Sequence, residues 1–531
     1  MNDFIVVGSG PCGAQAAQTL VELGGRVLML DAGITPKHDY ASITPDEQFL
    51  DIRRTCDGQH RFFLGENFEG ISLGDTRTGS SLPPPRKYIT GRVDELTPSR
   101  SANFMQLESL ALGGLGAAWG LGSFTMSDNE LIHMGLCPAE MRKSYDCVSA
   151  RIGISADTDN IFAGGLGNAL PALEIDESAE ILYQHWLKKK SELAGRGIHV
   201  AKTPLALLSR DFDGRRACQY HDMEFWSDHG AAAYRPQLTI DRLKKSNLFE
   251  YRPGALVTRF KSYEGRADVE YLDLQTMGGK TAACRKLVLA SGVFGTARIA
   301  LRSFGMHGQE IPLLCNQYYY VLCMRPGLFG RELRNRRHSM GQLVMAYDAR
   351  GDQSHLPVAS ILSYRSLLLS RLIKDTPLAC REAIPAMKFL HTGFTIAGIH
   401  FPDYRSELKS LRLEPGGDSP AGDHLQIDFS LKDKEKARIH ADKKALFSGL
   451  RKLGCWPAMT VDPGHGASIH YAGTLPFGTC CSPLLTYPDG RLNGLGNVFV
   501  ADGSPFTFLP AKGITLTLMA YADFAARMAA K

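Results

Sequence analysis

Apolar residues open the chain in a block. Phe4, Ile5, Val6 and Val7 stand together without polar interruption, the pattern of a parallel strand buried on both faces. Gly8-Ser9-Gly10-Pro11-Cys12-Gly13 ends the block, the spacing from Ala14 to Leu23 predicts a helix, and Arg26 to Leu30 predicts a second strand closing on Asp31. The far end repeats the theme. Asn497 to Ala501 is a short apolar strand ending in Asp502-Gly503-Ser504, and a helical pattern runs from Gly513 through Ile514, Leu516, Leu518, Met519 and Ala522 to Met528. Between these ends, Gln317 to Met324 and Phe394 to Phe401 are strand-like, and Ala255 to Arg259 alternates weakly. The mixture predicts an α/β fold (α+β overall): a Rossmann-like domain and a second, sheet-based one.

The first turn carries a physical rationale. Gly8 permits a tight turn, Gly10 lets the backbone approach a pyrophosphate, Gly13 allows close helix-strand packing, and the helix N-terminus offers free N–H groups to phosphate. Asp31 stands where an acid accepts ribose hydroxyls. Strand, glycines, helix, strand and acid fall in order within the first 31 residues, which predicts a dinucleotide site. The pattern serves FAD or NAD; Pro11 and the Asp31-Ala32-Gly33 ending favour FAD. The C-terminal strand, acid and helix start suit a ribityl chain and flavin ring, with the helix dipole beside the pyrimidine end, where negative charge collects on reduction.

Composition narrows the class without changing that reading. At 531 residues the chain is long enough for two or three domains, and 60 Lys and Arg against 55 Asp and Glu give a net charge of +5. No dense basic block suggests nucleic acid. The 12 cysteines show no C-x-x-C spacing, so a reduced, cytoplasmic setting is expected, with adjacent Cys480 and Cys481 as plain thiols and no metal site. Neither a signal-peptide pattern nor an apolar run of about 20 residues occurs, which predicts a soluble protein. From Ile361 to Lys374, Ile361, Leu362, Leu368, Leu369, Leu372 and Ile373 share one face of a helical pattern beside Arg365, Arg371 and Lys374. A packed helix or dimer contact is favoured there over a membrane-surface helix.

Four segments carry a more specific likeness. V-G-S-G-P-C-G-A (Val7 to Ala14), L-G-G-L-G-A-A-W-G (Leu112 to Gly120), K-L-V-L-A-S-G-V-F-G-T-A-R-I-A-L-R-S-F-G (Lys286 to Gly305), and H-Y-A-G-T (His470 to Thr474) joined with N-V-F-V-A-D-G-S (Asn497 to Ser504) follow in order across nearly the whole chain. Together they resemble the glucose-methanol-choline oxidoreductases, a flavoprotein family. The resemblance implies FAD contacts at Gly8, Gly10, Pro11, Cys12, Gly13, Asp31, Ala32, Gly113, Gly114, Gly116, Ala117, Trp119, Val257, Ser291, Gly292, Asp502, Gly503, Gly513 and Ile514. It implies oxidation of a CH–OH group by hydride transfer to flavin N5, with His470 as base. The expected substrate is a small alcohol, sugar or hydroxylated biosynthetic intermediate, and the acceptor, whether O2, quinone or carrier, stays open. Some relatives attach the flavin covalently through a histidine upstream of the glycine-rich loop; none occurs between His60 and His133, so FAD is expected to be non-covalent.

One departure from the family pattern stands near the last helix. A second His or Asn is usual there, yet this chain reads L-P-A-K-G-I-T-L from Leu509 to Leu516. Lys512 is therefore a candidate catalytic group, hydrogen-bonding a substrate oxygen, holding a substrate carboxylate or phosphate, or stabilising reduced flavin, against the alternative of a solvent-facing loop lysine. The departure also leaves room for a lyase, isomerase or redox-assisted rearrangement. Residues 1–36, 87–154, 226–305 and 460–531 are expected to form the FAD-binding domain. Residues 37–86, 155–225 and 306–459 are expected to form the substrate domain and insertions that cover the site.

Overall fold

The computed structural model describes residues 2–36, 55, 57–63, 65, 84–222, 224, 228, 230–334, 336–363, 373, 376–416, 419–480 and 482–531. Uniform apolar runs make its first sheet. Strand Asn2–Val7 lies between Val27–Leu30 and Gly279–Leu289, parallel to both, and Val27–Leu30 pairs in turn with Phe249–Arg252. The last three residues of the long strand, Leu287, Val288 and Leu289, also pair with Val498–Val500. Ile5, Val6 and these three residues are wholly buried, as strands covered on both faces require. The first half of the same long strand leaves the parallel sheet and joins an antiparallel meander with Arg266–Asp273 and Ala255–Tyr263. The meander returns to the nucleotide turn, since Ala255 N–H donates to the Asp31 carbonyl at 2.9 Å.

Helices Pro11–Glu22 and Thr515–Ala530 bring the two ends of the chain together beside this sheet. Thr19 Oγ1 donates to Asp523 Oδ1 at 2.6 Å, and Ser144 Oγ to Asp523 Oδ2 at 2.7 Å. The N-terminal helix starts at Pro11, earlier than the apolar pattern predicts, because proline at the first helical position loses no hydrogen bond.

A second sheet is antiparallel throughout, in the order Trp456–Val461, Gln317–Met324, Phe394–Phe401, Val358–Ser363, Leu343–Tyr347, Ile198–Lys202. Side chains alternate between its faces. One face, with Val321, Leu343, Ala359, Ala397 and Ile399, packs on helices Glu177–Ala194 and Asp433–Lys452 through Leu182, Leu446 and Leu450. Each such fully buried aliphatic side chain contributes about 1.5–3 kcal/mol. The opposite face presents Tyr318, Tyr320, Gly398 and His400.

Residues 155–225 supply the backing helix Glu177–Ala194 and the edge strand Ile198–Lys202 of this sheet. One expectation needs correction. Ile361 and Leu362 belong to strand Val358–Ser363 and start no helix; apart from Ser363 and Ile373, the rest of that stretch to Lys374 lies outside the described residues, as do Cys481 and most of 37–83. Among the described residues no helix is long and apolar enough to cross a membrane.

Candidate active site

The glycines of the first turn divide by what surrounds them. A Cβ at Gly8, whose φ is +95°, would stand 2.7 Å from the Ala290 carbonyl, and one at Gly13 would stand 1.9 Å from the Gly8 carbonyl. Those two hold strand, turn and helix in contact. At Gly10 a Cβ would meet no atom within 4 Å. Its backbone is bare, forming a cradle of the kind a pyrophosphate needs. The loop after Leu112 packs directly on this turn: a Cβ at Gly114 would be 3.3 Å from Gly10 Cα, and one at Gly116 would be 2.6 Å from Pro11 Cγ. Gly113 N–H donates to Ser9 Oγ at 2.9 Å, and Ser9 Oγ donates to Asp31 Oδ2 at 2.5 Å. Tyr251 OH donates to the same oxygen at 2.9 Å, while Asp31 Oδ1 receives Ser9 N–H at 3.2 Å. Burial raises the Asp31 carboxyl to about 6 against the pull of these donors.

Asp502 occupies the equivalent place at the other end. It is buried, with Oδ2 accepting from Thr296 Oγ1 at 2.6 Å and Oδ1 from Ser504 N–H and Oγ at 3.0 and 2.7 Å. Burial pushes its carboxyl upward, and its charge in turn adds to burial in raising the Cys12 thiol. Gly292, φ +78°, opens the following helix, and a Cβ there too would meet nothing within 4 Å. Ser291 Cα comes within 3.1 Å of a Cβ at Gly8. Gly8 to Gly13, Gly113 to Ala117, Ser291, Gly292 and Asp502 thus surround one region, with two bare glycine backbones exposed to it. These features fit a bound dinucleotide. Trp119 flanks the loop, donating through Nε1 to the Tyr234 carbonyl at 2.9 Å. Val257 is buried in the meander two residues beyond Ala255, and Ile514 caps the last helix, its carbonyl accepting Leu518 N–H.

His470 lies next to this region. The short strand Tyr471–Ala472 that follows it runs into Gly473, whose N–H donates to the Gly503 carbonyl at 3.1 Å, and Leu475 N–H donates to the Ser504 carbonyl at 2.9 Å. The imidazole Nδ1 faces Asn316 Oδ1 at 3.1 Å. Asn316 is buried, and its Nδ2 reaches the carbonyls of Phe401 at 2.8 Å, Pro510 at 3.3 Å and Leu509 at 3.4 Å. An amide nitrogen must point at carbonyls, so Oδ1 must point at His470. Nδ1 therefore carries the proton and Nε2 the lone pair. Burial lowers the His470 pKa to about 4, which keeps the ring neutral at physiological pH.

Asn316 escaped the sequence reading. It is 154 residues from His470, and its only local signal is a polar residue directly before the strand Gln317–Met324. Asn316→Asp is expected to put a carboxylate against Nδ1 and raise the imidazole pKa by about a unit or more. The acidic limb of the flavin-reduction rate should then move to higher pH; an unmoved limb would show that Asn316 does not govern the ring.

Lys512 is neither at the surface nor free to reach outward. It is fully buried, with Nζ bonded to Glu130 Oε2 at 2.9 Å, the Ile161 carbonyl at 2.9 Å and the Thr125 carbonyl at 3.2 Å. All three ammonium protons are engaged, so the solvent-facing alternative is incorrect. Gly513 beside it packs on Phe124, whose ring carbon would stand 3.2 Å from a Cβ there.

Fold and site define an α/β protein whose glycine turns fit a dinucleotide, with a second, antiparallel sheet at its side. No family model matches the sequence. Among curated proteins, paromamine 6'-oxidase of Streptomyces fradiae is 23% identical over 98% of this chain and 90% of its own length. The crystal structure of pyridoxine 4-oxidase from Mesorbium loti superposes with a TM-score of 0.60 at 16% identity, covering 99% of both chains. These full-length likenesses agree with the resemblance carried by the four motif segments, and the structural match shows that the chain shares the fold of that oxidase.

Proposed function

We propose that this protein is an FAD-dependent oxidoreductase that removes hydrogen from the CH–OH group of a small organic alcohol. The observation that carries the reading is His470, half-buried and neutral, with Nδ1 held by Asn316 so that Nε2 is available as a base. Both similar proteins are named oxidases, which supports the same class of reaction.

Non-covalent FAD would lie with its pyrophosphate over Gly10 and the Pro11 helix N-terminus, its adenosine towards Asp31, Ala32 and Val257, and its ribityl and ring portions towards Asp502, Gly503, Ile514 and the loop Gly113–Trp119. Bound there, the flavin supplies the acceptor for the carbinol hydride. The protein's own residues do the remaining work. His470 Nε2 takes the hydroxyl proton, and Asn316 holds the ring in the tautomer that permits it. Desolvation of the ring keeps the base unprotonated. Lys512 acts as a positioning residue: it ties the loop before the last helix to Thr125, Glu130 and Ile161.

Anaerobic mixing of the FAD-loaded protein with a panel of primary and secondary alcohols tests the proposal. Lasting bleaching of the flavin absorbance by at least one class is expected. Product formed without bleaching would instead favour a lyase or isomerase of the same fold.

A further inference from the structure

Beyond the base, the second sheet brings aromatic groups to the same place. His400, near the end of strand Phe394–Phe401, stacks on His470 with ring centroids 4.9 Å apart and planes 22° apart. Tyr318 lies against the other side of this cluster, 4.3 Å from His400 and 4.6 Å from Tyr320. The register explains the grouping, because Tyr318 pairs with His400 and Tyr320 with Gly398, which puts all four on one face. Gly398 makes room for the arrangement: a Cβ there would stand 2.5 Å from the Tyr318 hydroxyl. All three rings are half-buried. Among the described residues, neither ring nitrogen of His400 hydrogen-bonds a protein group.

The side chains that meet in this cluster, Tyr318, Tyr320, His400 and His470, are all neutral rings, with burial lowering the basicity of both imidazoles. A polycationic or acidic substrate entering here would lose its hydration without gaining an opposite charge, which is costly. A neutral ring would instead exchange water for aromatic faces and an unmet imidazole.

We infer that Tyr320, Tyr318 and His400 form a substrate platform for an uncharged, ring-bearing alcohol, and that His400 determines specificity by hydrogen-bonding a second polar atom of that ring. The inference rests on the alcohol-oxidation reading for the direction in which the CH–OH group points, towards His470. It fixes the substrate class more narrowly than that reading does.

The test uses the FAD-loaded protein without oxygen and two readouts, calorimetric binding and flavin bleaching. The probes are pyridylmethanol, benzyl alcohol, choline and glycerol phosphate. The wild type is expected to bind the two neutral ring alcohols and to bind neither charged one. His400→Phe keeps the stacked ring and removes both nitrogens; it should weaken pyridylmethanol about tenfold while leaving benzyl alcohol within about threefold, the scale of one lost hydrogen bond. His400→Gln, which retains a hydrogen-bonding group, should recover part of the difference. Equal effects on both ring alcohols, no effect on either, or preference for a charged probe would overturn the assignment. If His400→Phe fails to retain FAD, Tyr320→Leu decides the matter: weaker benzyl alcohol binding supports the platform and unchanged binding refutes it. Binding of the ring alcohols without bleaching would sink the oxidation reading and leave the platform standing.

Discussion

His470→Ala is expected to retain FAD and its yellow colour while slowing flavin reduction by alcohol about 10²-fold or more, the usual scale for removing a positioned general base. So large an effect has a local cause. Nothing else among the described residues offers a neutral imidazole nitrogen with its tautomer fixed at this position. His400 is stacked alongside but lacks a partner that fixes its proton. The pH dependence follows from the same burial. Because the folded-state pKa is depressed to about 4, the basic form is present above that value and is lost as pH falls through it. Reduction of flavin in the wild type should therefore be level from roughly pH 5 to 8 as far as this residue is concerned, and should decline below about 4. An alanine variant with wild-type reduction rates would remove His470 from the chemistry.

The parts of the molecule that were legible in its sequence are those whose physics is local. A strand covered on both faces is a run of apolar residues, and a turn shaped to admit a phosphate is a set of glycines at fixed spacing; Phe4 to Gly13 has both patterns within ten positions. Strands Gln317–Met324 and Phe394–Phe401 were equally visible. What sequence could not show was their adjacency, and this brings Tyr318, His400, Asn316 and His470 into one cluster from positions more than 150 residues apart at the extremes. The helical pattern expected from Ile361 gives way at its first two residues for a related reason. Ile361 and Leu362 also fit a strand period at Val358–Ser363, and cross-strand pairing with Leu343–Tyr347 and Phe394–Phe401 places them in that strand.

Lys512 shows the same limit in an electrostatic form, since a lysine is expected at the surface unless a partner is visible, and its partner Glu130 is 382 residues away. Lys512→Met is expected to cost about 3–5 kcal/mol, because the Glu130 carboxylate, 1% exposed, would be left charged without its cation. Melting of the FAD-loaded protein should fall by about 5 °C or more on that scale. Glu130 also accepts Ser127 N–H at 2.9 Å within a helix capping box, so its replacement should preserve an acceptor there. The double variant Lys512→Met with Glu130→Gln removes the stranded charge and keeps that acceptor. It is expected to recover much of the lost stability, a coupling that a double-mutant cycle measures directly. The kinetic arm separates positioning from contact with substrate. If Lys512 only holds the loop, flavin reduction and alcohol affinity should recover in the double variant together with the melting temperature. If Nζ meets the substrate during turnover, stability should return while the kinetic defect persists.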